Sequence, residues 1–210
     1  MTRPQRLGVD LDNTIVAYDR LFHRLARERG LVADDLAATK LAVREHLRAT
    51  GREDAWTELQ GEAYGPRMAE AEPFPGCIEV LRRAGAAGVE VVIVSHRTRV
   101  PHRGAPHDLH DAARAWLAAR GLVGDGTAPL RPAQVHLEVT RAAKCARIAA
   151  LGCTHFIDDL PEVFAEAAFP ARTVAVLFDP DAAHAERPGR RRFASWAALG
   201  AWLQGEGGWG

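Results

Sequence analysis

Short apolar segments alternate with amphipathic segments along most of this chain, and that alternation constrains the fold more than any other feature. The first apolar segment, Leu7–Leu11, has the length and valine content of a buried strand. The later segments of strand length are Val89–Val94, Gln134–Val139, Thr154–Ile157 and Val174–Phe178. The segments with helical periodicity are Cys77–Ala87, Asp108–Arg120, Thr140–Leu151, Pro161–Ala168 and Ser195–Leu203. Strands that alternate with helices predict a parallel sheet covered on both faces, which is a three-layer α/β fold.

A block of purely helical pattern interrupts this alternation after the first strand. It contains three predicted helices, the second capped by Asp34 or Asp35 and the third covering about Glu53–Tyr64. We therefore predict a helical cap inserted into an α/β core. The predicted domains are a core of residues 1–16 and 74–210 and a cap of residues 17–73. Near the end of the chain, we expect Arg190–Arg192 to be a solvated turn and the tail from Gly205 to be frayed.

The charge balance and the cysteine content exclude several classes of protein. The 210 residues include 27 basic and 27 acidic side chains, so the positive excess that nucleic-acid or membrane-surface binding draws on is missing. No apolar run is long enough to span a bilayer, and the first residues do not resemble a secretory signal. Cys77, Cys145 and Cys153 lack metal-ligand spacing and suit a reducing compartment. We expect a cytoplasmic protein whose partner is a small molecule.

Polar side chains end three of the predicted strands. Asp10 and Asp12 end the first strand, Ser95 follows the second, and Asp158 and Asp159 end the fourth. Because ligands of an open parallel sheet bind beyond the carboxyl ends of its strands, we expect these carboxylates to converge in one crevice. They would repel one another there, and a hard divalent cation such as Mg²⁺ relieves the repulsion. The set predicts a phosphate site in which a carboxylate is the nucleophile.

Lys144 adds a point charge to this predicted site. It lies in the first turn of the helix that precedes the Asp158 strand, and only Lys40 and Lys144 among the 27 basic residues are lysines. Serine occurs only at Ser95 and Ser195, and asparagine only at Asn13. A chain that otherwise uses arginine has a reason to keep lysine where a compact ammonium must touch a single phosphate oxygen.

The sequence resembles the haloacid dehalogenase superfamily, in its phosphatase branch. Four motifs in the expected order carry the resemblance: Gly8–Thr14, Ile93–Ser95, Lys144 and Phe156–Asp159. The resemblance covers roughly residues 5–16 and 74–180, and the insertion matches only in kind, as a helical cap. It implies a Rossmann-like core and a reaction through an aspartyl phosphate.

The resemblance also implies a role for each motif residue. Asp10 attacks phosphorus, and Asp12 protonates the leaving oxygen and later activates water. Asp10, the backbone carbonyl of Asp12 and Asp158 bind Mg²⁺, and Asp159 supports the metal through water. The residues that hold the phosphoryl oxygens are Ser95, Lys144, Asn13 and Thr14.

Asp12 distinguishes between branches of the superfamily. Dehalogenases lack an acid two residues after the nucleophile, because a halide leaving group needs no proton, and transporting ATPases place threonine there. Asp12 therefore favours hydrolysis of a phosphate ester, with general acid–base help. The fourth motif is less regular: many relatives carry a second acid a few residues further on, whereas here Asp159 is adjacent and Glu162 is a candidate to share its role.

The segment from His96 to Asp111 follows the second motif and should form the rim of the crevice. It is rich in histidine and arginine, and three interpretations stay open: a loop that binds the leaving group, a solvated loop, or a second metal site at His107 and His110. We predict that His96 and Arg97 contact the leaving group. The candidates in the cap are Tyr18, Arg20, Trp56, Gln60 and Tyr64, with Trp56 favoured for packing.

These features together predict a Mg²⁺-dependent phosphatase that acts on a small phosphorylated metabolite, either a sugar phosphate or a nucleotide. One alternative keeps the superfamily but transfers phosphate to an acceptor other than water, as a phosphotransferase or phosphomutase. A second alternative is a non-enzymatic receiver domain, which also combines acids, a serine or threonine and a lysine. The order of the motifs and the helical insertion disfavour the receiver domain.

Overall fold

The computed structural model describes residues 5–205 and contains a six-stranded sheet. The strands are β1 (Arg6–Val9), β2 (Val16–Ala17), β3 (Glu72–Pro73), β4 (Glu90–His96), β5 (Val135–Glu138), β6 (His155–Asp158), β7 (Val174–Phe178) and β8 (Arg190–Phe193). The order in the large sheet is β5-β4-β1-β6-β7-β8, and all its neighbouring pairs are parallel. The predicted α/β fold with a parallel sheet is therefore confirmed.

Helices cover both faces of this sheet. The helices are α1 (Asp19–Glu28), α2 (Lys40–Ala49), α3 (Glu53–Tyr64), α4 (Cys77–Ala86), α5 (Leu109–Ala119), α6 (Arg141–Leu151), α7 (Pro161–Phe164) and α8 (Trp196–Gln204). Side chains of β4 alternate between two hydrophobic clusters: Val91 and Ile93 pack with residues of α4, α5 and α8, whereas Val92 and Val94 pack with residues of α6 and α7. A strand buried on both faces needs this continuous valine and isoleucine run.

The cap consists of α1, α2 and α3 and lies between two short strands. β2 and β3 pair in antiparallel fashion where the chain leaves and re-enters the core. The interior of the cap is aromatic, with the Phe22 ring centroid 4.9 Å from that of Trp56 and 5.7 Å from that of Tyr64. Trp56 is buried and packs inside the cap. The predicted domain boundaries fall at the two short strands, and the division into two domains stays a prediction.

The second cap helix begins later than predicted. α2 starts at Lys40, so the prediction that Asp34 or Asp35 caps it is wrong. Thr39 is the cap instead, because its backbone is extended and its Oγ1 accepts the N–H of Ala42 at 3.1 Å. Asp34 is engaged elsewhere, in an ion pair with α1.

The arginine run near the end of the chain is a strand rather than a turn. β8 pairs with β7 from Arg190, opposite Ala175, to Phe193, opposite Phe178. It is the edge of the sheet, where charged side chains are tolerated because one side of the strand faces solvent. The predicted frayed tail lies outside the described residues beyond Gly205. Between residues 5 and 205, no helix has the length and apolar character to cross a membrane.

Candidate active site

Three neighbouring strands end at one edge of the sheet and bring the predicted motifs together. β1 lies between β4 and β6, and the residue directly after β1 is Asp10. The N–H of Asp10 donates to the carbonyl of Ile157 at 2.9 Å, which holds Asp10 against β6. Ser95 lies near the end of β4, and Asp158 is the last residue of β6. Residues far apart in the chain thus meet where the strand-end rule predicts.

Lys144 reaches this edge from α6 and bridges two carboxylates. Its Nζ lies 2.5 Å from Oδ1 of Asp10 and 2.6 Å from Oδ2 of Asp158. Lys144 and Asp158 are fully buried, and Asp10 is 4% exposed. Burial alone would lower the pKa of Lys144, but the attraction of the two carboxylates raises it above its usual range. Lys144 is therefore a charged ammonium at the floor of the site.

Asp159 completes an acidic cluster with Asp10 and Asp158. Ligand oxygens of the three residues all lie within 4.8 Å of one another. Burial raises the pKa of Asp158 to about 7 against the attraction of Lys144, and repulsion from Asp10 adds to the rise. Burial also raises the pKa of Asp159 well above its usual value, with repulsion from the other two carboxylates. When all three carboxyls are ionised, one ammonium leaves an excess of negative charge.

This cluster has the chemistry of a site for a hard divalent cation. Its donors are all carboxylate oxygens, the ligand type that Mg²⁺ prefers. Oδ2 of Asp158 is buried and touches the ammonium of Lys144, but it has no partner in hydrogen-bond geometry. A cation with two positive charges would balance the excess charge and give that oxygen a partner. The side chains that would hold Mg²⁺ are Asp10, Asp158 and Asp159.

The side chain of Asp12 lies outside the acidic cluster and faces two other residues. Arg97 binds both of its carboxylate oxygens, and the Tyr18 hydroxyl donates to Oδ1 at 2.8 Å. Burial would raise the pKa of Asp12, but Arg97 and Tyr18 outweigh it, and the pKa is lowered. Asp12 is therefore ionised in this arrangement, which is the form that can accept a proton from water.

Arg97 is buried, although we expected it at an open rim. Its exposed fraction is 5%. Besides Asp12, its guanidinium donates to the Tyr18 hydroxyl at 2.9 Å and to the carbonyl of Leu109 at 3.1 Å, and it stacks on the Tyr64 ring. This geometry gives Arg97 a positioning role toward Asp12 and the cap. Its contact with a leaving group stays a prediction, but these protein groups already engage its donors.

The other predicted phosphate-binding residues differ in how they face the site. Ser95 and Asn13 line the cavity described below, and Asn13 has a positive φ of 54° that asparagine tolerates. Thr14 is fully buried with its Oγ1 3.5 Å from Oδ1 of Asp159, so it supports the acidic cluster from behind. Glu162 is exposed and does not belong to the cluster.

A cavity of about 300 Å³ lies between this edge of the sheet and the cap. The core residues that line it include Asp10, Asp12, Ser95, His96, Arg97 and Asp159. The cap contributes Lys40, Thr57, Gln60, Gly61 and Tyr64. Of the predicted cap candidates, Gln60 and Tyr64 thus face the site, whereas Tyr18 reaches it only through Asp12. Burial and the nearby Lys144 lower the pKa of His96, so its imidazole is neutral at pH 7.

The segment after Arg97 contacts the cap, a role that the sequence did not indicate. A Cβ on Gly61 of α3 would lie 2.8 Å from Cβ of Pro101, so only glycine permits this close approach. Arg103 forms ion pairs with Asp54 at 3.1 Å and Glu58 at 3.2 Å, both on α3. Among the described residues, the histidines of this segment form no group with metal-binding geometry.

Lys40 lines the cavity and was not assigned to the site from the sequence. It is the first residue of α2, and its Nζ lies 5.6 Å from the ring centroids of both Phe22 and Tyr64. Burial would lower the pKa of Lys40, but Tyr64 and the carboxylates of Asp159 and Asp12 raise it above its usual value. Its rarity, as one of two lysines, was the signal that could have identified it.

The structure of this chain is similar to solved structures of other proteins. Neither a scan against protein-family models nor a search of curated proteins gives a match. The structure is similar to a haloacid dehalogenase-like hydrolase from Burkholderia xenovorans LB400, with 16% identity, 99% of each chain covered and a TM-score of 0.57.

Two further likenesses are of the same kind. The first is the HAD-hydrolase YfnB from Bacillus subtilis bound to magnesium, with 12% identity, 96% of this chain and 99% of that chain covered, and a TM-score of 0.53. The second is the L-2-haloacid dehalogenase from Xanthobacter autotrophicus with chloropropionic acid covalently bound, with 14% identity, 97% and 99% covered, and a TM-score of 0.52. At these identities the likeness concerns the fold alone.

Proposed function

The chain has the fold of the haloacid dehalogenase superfamily, and on that premise we propose that it is a hydrolase, specifically a Mg²⁺-dependent phosphatase of a small phosphorylated metabolite. One observation carries the proposal. A buried Asp10 contacts Lys144 and belongs to an acidic cluster, at the floor of a cavity that Asp12 also lines. This arrangement supplies a nucleophile, a positive charge, a metal site and an acid–base group within one enclosure.

The proposed reaction has two steps. In the first, a carboxylate oxygen of Asp10 forms a bond to phosphorus while the bond to the leaving oxygen breaks, and Asp12 gives a proton to that oxygen, for which it must first be protonated, since it is ionised in the arrangement described above. In the second, ionised Asp12 takes a proton from water, the water oxygen bonds to phosphorus, and the bond to Asp10 breaks. Inorganic phosphate leaves, Asp10 is restored as a carboxylate, and Asp12 is again protonated.

The remaining residues of the site are proposed to bind the phosphoryl group and to position Asp12. Lys144 and the hydroxyl of Ser95 are proposed to hold phosphoryl oxygens. A bound Mg²⁺ would neutralise the developing negative charge on those oxygens. The Arg97–Asp12 pair keeps the acid–base carboxylate near the leaving group, and the cap excludes bulk water.

The size of the cavity supports a small substrate. About 300 Å³ is at the low end of the range for small-molecule sites. The cap over the site also disfavours polymers. A sugar phosphate or a nucleotide is the proposed substrate class, and transfer to an acceptor other than water is the alternative reaction.

Haloacid dehalogenases also share this fold, as the Xanthobacter enzyme illustrates. A halide leaving group needs no proton, whereas an alkoxide does. The carboxylate of Asp12, held at the cavity by Arg97 and Tyr18, therefore favours phosphate ester hydrolysis.

The test is release of inorganic phosphate from a panel of metabolite phosphates and p-nitrophenyl phosphate, with Mg²⁺ or with EDTA. Asp10→Asn is expected to abolish release. Asp179→Asn is the matched control, because Asp179 has the same 4% exposure as Asp10 but lies outside the acidic cluster. Chloride release from 2-chloropropionate, with no phosphate release from any ester, would contradict the proposal.

A further inference from the structure

One cation that lines the cavity on its cap side, Lys40, forms no ion pair with an acidic side chain of the described residues. The cations that line it are Lys40 and Arg97, and Lys144 lies beneath its floor. Arg97 is paired with Asp12, and Lys144 is paired with Asp10 and Asp158. Within residues 5–205, no carboxylate lies at ion-pair distance from the ammonium of Lys40.

The backbone of Lys40 is fixed at the point where it enters the cavity wall. Its N–H donates to Oδ1 of Asp19 at 2.8 Å, and the preceding Thr39 caps α2. The ammonium then lies between the rings of Phe22 and Tyr64, 5.6 Å from each centroid. Contacts with two aromatic rings hold a cation in place without neutralising it. The chain therefore presents a positioned, half-buried ammonium to the cavity.

Tyr64 and the more distant carboxylates of Asp159 and Asp12 keep the Lys40 ammonium charged, but neither carboxylate lies at ion-pair distance from it. Four arginines of the cap, Arg24, Arg27, Arg29 and Arg67, form ion pairs with acidic side chains. Lys40 differs from them in facing the cavity. A ligand anion would supply the missing partner.

The anion that Lys40 binds is separate from the transferred phosphoryl group. The proposed phosphoryl site lies on the core side, at Asp10, Ser95 and Lys144, whereas Lys40 comes from the cap. The cap also contributes Thr57 and Gln60, which are one turn apart on α3 and carry hydroxyl and amide groups. This wall therefore faces the leaving group of the substrate.

We propose that Lys40 is a substrate-binding residue that selects a phosphomonoester whose leaving group carries a second anionic group, either a carboxylate or a second phosphate. The inference rests on the proposed phosphatase function and narrows its substrates from small phosphorylated metabolites in general to those that carry a second anionic group besides the hydrolysed phosphate. It also moves the role first predicted for Arg97 to a cation that the protein leaves unpaired.

The experiment measures kcat and KM with Mg²⁺ for pairs of substrates that differ in one charged group. 3-Phosphoglycerate is compared with glycerol 3-phosphate, and fructose 1,6-bisphosphate with fructose 6-phosphate, so the two arms distinguish a carboxylate from a second phosphate. Lys40→Gln is expected to raise KM about ten- to a hundred-fold for the preferred charged member, the effect of losing one charge-assisted hydrogen bond. Hydrolysis of p-nitrophenyl phosphate is expected to change less than about twofold.

Two further variants separate binding from folding. Lys40→Arg keeps the charge and is expected to recover part of the lost affinity. Arg44→Gln removes a cation one turn later on α2 that does not line the cavity, and it is expected to leave KM unchanged. An equal loss on the charged and neutral members of both pairs, or a wild-type enzyme that prefers the neutral members, overturns the role of Lys40.

A binding measurement keeps this inference distinct from the proposed reaction. Calorimetry with the Mg²⁺-loaded protein compares phosphonoacetate, which carries a carboxylate and no hydrolysable ester, with methylphosphonate. Tighter binding of phosphonoacetate in the wild type, lost in Lys40→Gln, supports the inference. Methylenediphosphonate, compared with methylphosphonate in the same way, tests the second phosphate. Wild-type protein that binds neither phosphonoacetate nor methylenediphosphonate more tightly than methylphosphonate overturns the inference. Absence of phosphate release from p-nitrophenyl phosphate instead overturns the phosphatase proposal.

Discussion

Removing Mg²⁺ from this protein should lower its melting temperature, because the acidic cluster is short of positive charge. Asp10, Asp158 and Asp159 face one ammonium, that of Lys144, and their ligand oxygens lie within 4.8 Å of one another. A cation that binds this cluster only in the folded protein stabilises the fold by mass action. The perturbation is therefore the addition of Mg²⁺ to protein stripped with EDTA.

The expected magnitude follows from the affinity and the size of the chain. A ligand at a hundred times its dissociation constant adds about 2.7 kcal/mol to the free energy of unfolding. For a chain of this size, each kcal/mol moves the melting temperature by about 2–4 °C, so saturating Mg²⁺ should raise it by roughly 5–11 °C. Differential scanning fluorimetry at pH 8 across a Mg²⁺ titration measures this shift.

Asp158→Asn makes the test specific to the cluster. Oδ1 of Asp158 accepts the N–H of Leu160 at 3.0 Å, and an asparagine keeps that acceptor. The variant removes a buried charge whose pKa burial raises to about 7. Without metal, we therefore expect Asp158→Asn to melt at or above the wild type at pH 8, and to lose most of the Mg²⁺ shift. Replacing a residue that only supports the fold would lower the melting temperature without metal, whereas replacing a metal ligand removes the Mg²⁺ shift.

Asp179→Asn is the matched control for this comparison. Asp179 is also buried but accepts the N–H groups of Ala183 and His184 and pairs with Arg192. We expect it to lower the melting temperature with and without Mg²⁺ and to keep the full shift. An unchanged wild-type melting temperature in Mg²⁺, or a full shift in Asp158→Asn, would refute the reasoning.

Four further outcomes are expected. Asp10→Asn should abolish phosphate release while keeping the circular dichroism spectrum, since a carboxamide cannot attack phosphorus; a tenth of the activity remaining would exclude the covalent route. Lys144→Arg should lose most activity, because a planar guanidinium cannot replace one ammonium between Asp10 and Asp158; near-normal rates would mean that charge suffices. Arg97→Ala should cost about 1–3 kcal/mol in urea unfolding, since it leaves the half-buried Asp12 with the Tyr18 hydroxyl as its remaining partner, and an unchanged midpoint would contradict that. In metal-free protein, the free energy of unfolding should fall from pH 5 to 7, because folded Asp158, with its pKa raised to about 7, and folded Asp159, whose pKa is also raised, hold protons that the unfolded chain releases; Asp158→Asn should reduce the slope.

The fold and the phosphate end of the site were predictable because each depends on local pattern. A valine and isoleucine run such as Val89–Val94 predicts a buried strand without knowledge of its neighbours. Once the strands are parallel, their carboxyl ends share one edge, so the sequence predicts that Asp10, Ser95 and Asp158 lie along that edge. They meet there because β1 lies between β4 and β6, an order that only the structure shows.

Contacts between the cap and the core were not predictable in the same way. Arg97 meets Asp12 and Tyr18 only because the cap returns over the end of β4, and no spacing in the sequence encodes that return. The start of α2 was missed for a related reason. Asp34, Asp35 and Thr39 are all competent caps, and the choice of Thr39 is reinforced by Asp19 on another helix, which binds the N–H of Lys40.

The residue types that are rare in this chain occupy positions with a specific structural or chemical role. Asn13 adopts the left-handed backbone conformation, Ser195 caps α8 through its hydroxyl, and Ser95 lines the cavity. Lys144 is the buried ammonium between two carboxylates. At these positions an abundant residue type lacks the needed chemistry: alanine has no oxygen to cap a helix, and a guanidinium is a planar fork rather than a compact point charge. By the same reasoning, the second lysine of an arginine-rich chain, Lys40, is kept for a contact that an arginine fork makes less well, and its place in the cavity wall supports the proposal that this contact is with the substrate.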